Sequence, residues 1–176
     1  MTTHITFSDI DYTAIVAETN SFLGSQPEGD VNELTVYPYP PLRTIAELIP
    51  SLFTTFVDKN LTIQNVAIVS RPVAVECEIC LLDLYMLHIP LTSGIDENLT
   101  FFDVAEDADS ITEWTDWGML LSRYDRADCT EIALVELQPN VGILINKNSV
   151  AQWGNNTVPA SYINITFNED LSSYFA

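Results

Sequence analysis

The sequence predicts a mainly β protein, folded as a sandwich or a barrel-like jelly roll, with helical structure near its N-terminus. After residue 60, seven short segments are rich in Val, Ile, Leu and Phe, and turn signals such as Ser93-Gly94 and Pro139-Asn140 separate several of them. Short apolar segments bounded by turn residues are typical of antiparallel strands. The predicted strands are 63–70, 73–80, 84–91, 99–105, 130–137, 141–146 and 160–167.

The first sixty residues predict an arm, an edge strand and a helix. Segment 21–30 is rich in turn residues and predicts a loop. Segment 33–37 has the composition of an edge strand, and Pro38-Tyr-Pro-Pro41 ends it because proline cannot donate to a strand ladder. Thr44 and Glu47 match a capping box, so we expect a helix over 44–58. Pro50 either kinks this helix or begins a second one.

The length of 176 residues predicts a single domain spanning 1–176. Within it we expect an N-terminal arm and edge strand over 1–43, the helix over 44–58, and a jelly-roll core over 60–168. The core would carry an acidic insertion over 103–122. A chain of this length buries enough surface to fold without disulfides or a structural metal.

The charge excludes several classes of partner. The chain has 25 acidic and 6 basic residues, a net charge of −19. Proteins that bind nucleic acid or anionic membranes directly carry the opposite sign, so we expect neither partner. The N-terminus has no basic, apolar signal pattern, and no apolar run is long enough to span a bilayer. We therefore expect a location inside a cell, in the host cytoplasm, or in a virion, without signal-peptide secretion.

Acidic residues concentrate in the insertion, and no Lys or Arg occurs between Arg71 and Arg123. One interpretation is a solvated loop whose tryptophans fold back onto a sheet. The other is a contact surface for a basic protein partner. Calcium binding is not indicated, because no D-x-D-x-D-G pattern is present. The residues of this possible interaction surface are Asp103, Glu106, Asp107, Asp109, Glu113, Trp114, Asp116 and Trp117.

The three cysteines do not indicate a disulfide framework or a metal site. Cys77 and Cys80 form a C-x-x-C pair, but the flanking residues are typical of a strand rather than a redox-active helix start. A zinc site needs four ligands, and only Cys129, His4 and His88 could complete one. We expect reduced cysteines in a half-buried strand, and no metal.

Three segments resemble one known family. They are Met86-Leu-His-Ile-Pro-Leu91, Arg123-Tyr-Asp-Arg126 followed by 132–137, and Leu144-Ile-Asn-Lys-Asn-Ser-Val-Ala-Gln-Trp-Gly-Asn155 followed by 159–167. Together they resemble the Fe(II)/2-oxoglutarate oxygenase-like proteins of phages and bacteria, of the prolyl and aspartyl hydroxylase type. The resemblance covers roughly residues 45–168 and implies a double-stranded β-helix, the jelly roll of that family, with one or two helices near the N-terminus.

The family's reactive residues are missing from the matching positions. Its enzymes hold iron with two histidines and one carboxylate, and pair the cosubstrate with an arginine. The resemblance puts the first histidine at Cys77 and the carboxylate at Ile79, or at Glu78 and Cys80 if the register slips by one residue. The distal histidine falls at Ala151 and the arginine at Ala160. The motif is therefore degenerate, and we expect no cofactor and no catalytic residue.

These observations predict a non-catalytic jelly-roll protein that works by assembly or binding. The specific expectation is a phage virion subunit of the capsid, neck or tail, forming a homo- or hetero-oligomer with other virion proteins or with a basic protein surface. One alternative is an oxygenase with rearranged ligands, using Cys77, Glu78, Cys80 or His88. A second alternative is an acidic DNA mimic that binds host proteins.

Overall fold

A computed structural model describes residues 2–8, 11–25, 35–38, 63–71, 77–91, 98–114, 120–139, 141–154 and 157–176. These residues form twelve strands, one α-helix and two short 3-10 turns. The elements in chain order are β1 (His4–Phe7), α1 (Thr13–Ser25), β2 (Thr35–Pro38), β3 (Ile63–Arg71), β4 (Ile79–Leu82), β5 (Tyr85–Pro90), β6 (Asn98–Val104), β7 (Ile111–Trp114), β8 (Leu120–Tyr124), β9 (Cys129–Glu136), β10 (Gly142–Ile145), β11 (Ser149–Trp153) and β12 (Ala160–Phe167). The 3-10 turns are Arg126–Asp128 and Ser172–Tyr174.

The strands form two six-stranded antiparallel sheets. The order is β1-β10-β5-β12-β3-β2 in the first sheet and β7-β8-β4-β11-β6-β9 in the second. The two sheets pack face to face, because one buried cluster contains residues from both of them, including Met86 and Ile145 from the first sheet and Phe101 and Ala151 from the second. The chain passes repeatedly from one sheet to the other, as expected of a jelly roll.

Helix α1 covers the outer face of the first sheet. Successive side chains along β5 and β12 point to opposite faces of the first sheet, because a strand is pleated. Leu87 and Ile163 face outward and pack with Ile15 of α1 and with Phe175 near the C-terminus. Among the described residues, no helix has the length and apolar character needed to cross a membrane.

The predicted fold class is confirmed: the protein is a mainly β jelly roll with a helix near the N-terminus. Segment 33–37 was expected to be an edge strand, and β2 does lie at the edge of the first sheet. The helix expected over 44–58 falls outside the described residues. The division of the chain into an arm, a helix and a core stays a prediction.

The N-terminal loop expected over 21–30 is wrong in its first five residues, which belong to α1. The backbone N–H of Thr13 donates to Asp11 Oδ1 at 2.9 Å, which caps the start of this helix. Ile15 and Thr19, one turn apart, are both buried. Contact with the sheet therefore stabilises a helix whose own sequence has only a weak amphipathic pattern.

The strand expected over 73–80 is also placed differently. Strand β4 begins at Ile79, so Cys77 and Glu78 precede it, and 72–76 lie outside the described residues. The acidic insertion is not simply a solvated loop, because it contains β7 and most of β8, which extend the second sheet. Strands β1 and β11 were not predicted. The four strands β1, β7, β8 and β11 are short, and they form because neighbouring strands pair with them.

Gly142 on β10 provides a test of how tightly α1 and the first sheet pack. A Cβ atom there would lie only 2.1 Å from Tyr12 Oη and 3.2 Å from Leu87 Cδ1. We expect Gly142→Ala to lower the free energy of unfolding by about 1–3 kcal/mol, because Tyr12 must move to make room. Urea denaturation measures this change.

Gly24 in α1 is the matched control, since a Cβ atom there would meet nothing within 4 Å. Gly24→Ala should raise the free energy of unfolding by about 0.5 kcal/mol, through the better helix propensity of alanine. A destabilisation of equal size in both variants would contradict the packing described here.

Candidate functional site

The space between the two sheets, called the lumen from here on, is where the family resemblance implies iron ligands. Ala151 and Ala160 are both buried on the lumen side of their strands. Cys80 lies directly opposite Ala151 in the strand register and shares its face. Ile79 instead packs on the outer face of the second sheet with Phe102. In the first register the expected ligand positions do not converge, because Ile79 faces away from Ala151 and Cys77 stands before β4 begins. In the register shifted by one residue, Cys80 faces the lumen beside Ala151.

The described residues do not fit ferrous iron. No group of three or more His, Cys, Asp or Glu side chains comes together among them. Burial raises the pKa of the Cys80 thiol to about 11, and the negative charge of Glu78 adds to this shift. Without a metal, the Cys80 side chain is therefore a neutral thiol at neutral pH. The two lumen positions on β11 and β12 carry alanine, which offers no donor atom.

A cluster of polar aromatic residues lies in the lumen instead, and we call it the His88 cluster. It consists of His88 on β5, Trp153 on β11, and Tyr162 and Asn164 on β12. The rings of Trp153 and Tyr162 stack with centroids 6.3 Å apart and an interplanar angle of 6°. The imidazole of His88 lies 4.7 Å from the ring of Tyr162 and 5.7 Å from that of Trp153. The cluster thus joins the two sheets.

The hydrogen bond between His88 and Asn164 fixes the state of the imidazole ring. Nδ1 lies 2.8 Å from Asn164 Oδ1, and because that oxygen can only accept, the N–H stands on Nδ1. The side chain is fully buried. Burial lowers its pKa to about 4, although the bond to Asn164 acts in the opposite direction. At neutral pH, His88 is therefore uncharged and carries a lone pair on Nε2.

Two buried polar atoms of this cluster have no hydrogen-bond partner among the described residues. They are His88 Nε2, which needs a donor, and Trp153 Nε1, which needs an acceptor. Leaving a buried polar group unsatisfied costs about 1–3 kcal/mol. Native interiors rarely contain such groups without a reason. One hydroxyl group between the two rings could donate to His88 and accept from Trp153.

A buried arginine stands beside the position where the resemblance implies the cosubstrate arginine. Arg71, at the end of β3, lies directly opposite Ala160 in the strand register. Its side chain is fully buried, and its guanidinium donates to the carbonyl oxygen of Gly154. The sequence interpretation gave Arg71 no role, because only the pairing of β3 with β12 brings it next to Ala160.

The groups named in the rearranged-ligand alternative lie in two places. His88 and Cys80 face the lumen, whereas Cys77 and Glu78 line a depression of about 640 Å³ beside β4 and β8. Arg123 crosses this depression and forms ion pairs with Glu78 and with Glu113 of β7. Gln152 Nε2 donates to the carbonyl oxygen of Cys77 at 2.7 Å. The ion pairs of Arg123 therefore attach β7 and β8 to the segment before β4, and the bond from Gln152 attaches that segment to β11.

The residues of the possible interaction surface extend from β6, near one end of the second sheet, to β7 at its opposite edge. Asp116 and Trp117 fall outside the described residues. The other six are exposed: Asp103 on β6, Glu106, Asp107 and Asp109 in the following connection, and Glu113 and Trp114 on β7.

Comparisons with known proteins agree on the fold alone. No family model and no curated protein sequence matches the chain. Among solved structures, the epimerase SnoN from nogalamycin biosynthesis matches with a TM-score of 0.62 and 10% identity, covering 96% of this chain and 78% of SnoN. The carbocyclase SnoK of the same biosynthesis has a TM-score of 0.57 and 12% identity, covering 96% and 81%. Both are non-heme α-ketoglutarate-dependent enzymes.

A third similar structure is viral. The collagen prolyl hydroxylase of Paramecium bursaria Chlorella virus-1, solved with 2-oxoglutarate, matches with a TM-score of 0.51 and 11% identity, covering 93% of this chain and 94% of the hydroxylase. The resemblance to double-stranded β-helix oxygenases is thus confirmed for the fold.

The expectation that this protein is not an enzyme is contradicted, because these neighbours are 2-oxoglutarate-dependent enzymes. The expectation rested on the missing iron ligands. The comparisons give no support to a role as a virion subunit, and they favour the enzymatic alternative. One signal for the site is visible in the sequence, because His88 is a histidine inside the largely apolar strand β5.

The burial of His88 predicts that stability depends on pH. Its pKa is about 4 in the folded chain against an ordinary value of 6.5, so the unfolded chain binds the extra proton. The free energy of unfolding is therefore unaffected by His88 above pH 6.5, and it decreases as the pH falls from 6.5 toward 4. From this group alone, the free energy of unfolding should be about 2 kcal/mol lower at pH 5 than at pH 7.

Urea denaturation of the wild type and of His88→Gln at pH 5 and pH 7 measures how much His88 contributes to the pH dependence of the free energy of unfolding. The variant should lose most of the difference. His4→Gln is the control: burial also lowers the pKa of His4, but this side chain is only partly buried. The same pH dependence in the wild type and in His88→Gln would show that His88 is not the titrating group.

Proposed function

We propose that the protein is an enzyme that acts on a small molecule bound in the lumen, with His88 and Trp153 orienting the substrate. The observation that carries the proposal is the pair of unsatisfied buried atoms, His88 Nε2 and Trp153 Nε1, in one cluster. Substrate sites combine apolar walls with a few placed polar groups. The stacked rings of Trp153 and Tyr162 supply such walls, and these two atoms supply one acceptor and one donor.

The chemistry of His88 favours binding over proton removal. A group with a pKa of about 4 is uncharged at neutral pH but is a weak base. Asn164 holds the ring so that Nε2 accepts a hydrogen bond, which selects a substrate hydroxyl. The indole N–H of Trp153 then donates to the same oxygen. Since the described residues do not fit ferrous iron, no step of the reaction is assigned to a metal.

A small substrate is supported by the two structural neighbours with the higher TM-scores. SnoN and SnoK both belong to nogalamycin biosynthesis, which builds a small molecule. The flat faces of Trp153 and Tyr162 favour a planar, hydroxyl-bearing compound. Trp153 is only partly buried, so part of its side chain is open to solvent beside the fully buried His88.

Phenol is a suitable probe because it is flat and carries one hydroxyl group. Titration of ¹⁵N-labelled protein with phenol should shift the indole N–H signal of Trp153, saturating with a dissociation constant of about 1 mM. Trp153→Phe assigns that signal among the three tryptophans. Toluene has the same shape without the hydroxyl group and should bind at least about tenfold more weakly, since it leaves both polar atoms unsatisfied.

The variant His88→Gln should abolish the preference for phenol over toluene, while His4→Gln should retain it. Equal shifts with phenol and toluene would contradict the assigned roles of His88 and Trp153. A parallel anaerobic titration with Fe(II) and 2-oxoglutarate should leave the melting temperature unchanged. A rise of several degrees would instead support an iron-dependent reaction.

A further inference from the structure

Strand β7 forms an open edge of the second sheet. It pairs with β8 on one side, and no described residue pairs with its other side. All four residues of β7 are exposed. An edge strand of this kind presents a row of backbone N–H and C=O groups that can pair with another chain.

This edge has only part of the usual protection against unwanted pairing. Natural edge strands are protected by short length, charged side chains, proline or a bulge. β7 is short and carries one charged residue, Glu113. β7 has the sequence Ile-Thr-Glu-Trp, with neither lysine nor proline, and its pairing with β8 is regular. The side chains of Ile111 and Trp114 are 61% and 73% exposed, which makes Trp114 the most exposed large apolar residue described. Exposed tryptophans of this kind are typical of binding hot spots.

The β7–β8 hairpin is held in place before any partner arrives. Arg123 of β8 forms ion pairs with Glu113 of β7 and with Glu78 beside β4. The hydroxyl groups of Thr112 and Ser122 form a hydrogen bond of 3.0 Å across the hairpin. A preformed edge loses less conformational entropy on binding than a disordered one.

The charge around this edge is negative. Asp109 precedes β7 by two residues and is exposed, and Glu113 lies on the strand itself. Glu106 and Asp107 are exposed in the turn after β6, where the N–H of Ala105 donates to the carbonyl oxygen of Asp128. Arg123 is the only basic residue between Arg71 and Arg126, and its guanidinium is already shared by two carboxylates. The field therefore attracts a positively charged chain and repels a second copy of this protein, whose net charge is −19.

We propose that β7 is a docking edge for a basic, extended segment of a partner protein, which adds to the second sheet as a further strand. Backbone hydrogen bonds to β7 supply the register, and Trp114 contacts the apolar side chains on one face of the segment. Glu113 lies on the opposite face of β7, where it and the acids before the strand pair with the lysines or arginines of the segment. This edge is separate from the His88 cluster, so the proposal stands or falls independently of the proposed enzymatic function.

The test uses three eight-residue peptides with the full-length protein. The first alternates Lys and Val, the second alternates Glu and Val, and the third alternates Lys and Pro. The third keeps the charge of the first, but proline cannot donate backbone hydrogen bonds to a sheet. We expect measurable binding of the Lys-Val peptide by calorimetry, binding at least about tenfold weaker for the Lys-Pro peptide, and none for the Glu-Val peptide.

Matched variants distinguish this edge from the opposite one. Trp114→Ser should weaken binding of the Lys-Val peptide at least about fivefold, whereas Leu134→Ser, which changes a 53% exposed residue of β9, should have little effect. Asp107→Asn/Asp109→Asn should weaken binding about threefold and reduce its salt dependence. Glu131→Gln/Glu136→Gln removes two exposed acids from β9 and should do neither.

Several outcomes would overturn the proposal. Equal binding of the Lys-Val and Lys-Pro peptides would mean that charge alone attracts them. Equal loss in the β7 and β9 variants would remove the assignment to this edge, as would no binding of the Lys-Val peptide. If the wild type is a dimer and Trp114→Ser dissociates it, the occupant of the β7 edge is a second copy of the chain.

Discussion

The packing of the two sheets against each other is the constraint on which the rest of this structure depends. Along each strand, every second side chain points into the lumen between the two sheets, and the others point to the outer face of the sheet. On β5 and β12 this alternation puts Leu87 and Ile163 toward α1, and His88 and Asn164 toward the second sheet. The same pleat that builds the apolar core therefore carries two polar side chains into it.

Burial then decides the chemistry of that interior. In water, the imidazole of His88 would change its charge near neutral pH, but the surrounding apolar residues disfavour the charged form. Asn164 forms a hydrogen bond with Nδ1 of the ring, whereas Nε2 has no partner among the described residues. A side chain that is costly to bury has thus become a fixed, uncharged hydrogen-bond acceptor. Its neighbour Trp153 offers the complementary donor.

The fold class could be predicted from the sequence because strand patterns are local. Segment 160–167 alternates apolar and polar residues, and the structure gives β12 those bounds. The weak elements could not be predicted in this way. Strand β11, with the sequence Ser-Val-Ala-Gln-Trp, has little pattern of its own and forms because β4 and β6 pair with both of its edges. Asp11 is a local sequence signal for the start of α1, because its side chain caps the helix. The end of α1 has no comparable signal in the sequence.

By itself, the sequence determined a strand-rich, strongly acidic chain. The family resemblance implied alanine, at Ala151 and Ala160, in place of the oxygenase histidine and arginine. It did not determine a site, because His88, Trp153 and Asn164 are separated by up to 76 residues and carry no shared spacing. Only the tertiary structure brought them together, since register between distant strands is set by packing rather than by local sequence. The same reason applies to β7: its charge was visible in the sequence, but its position at an open edge depends on pairing with β8.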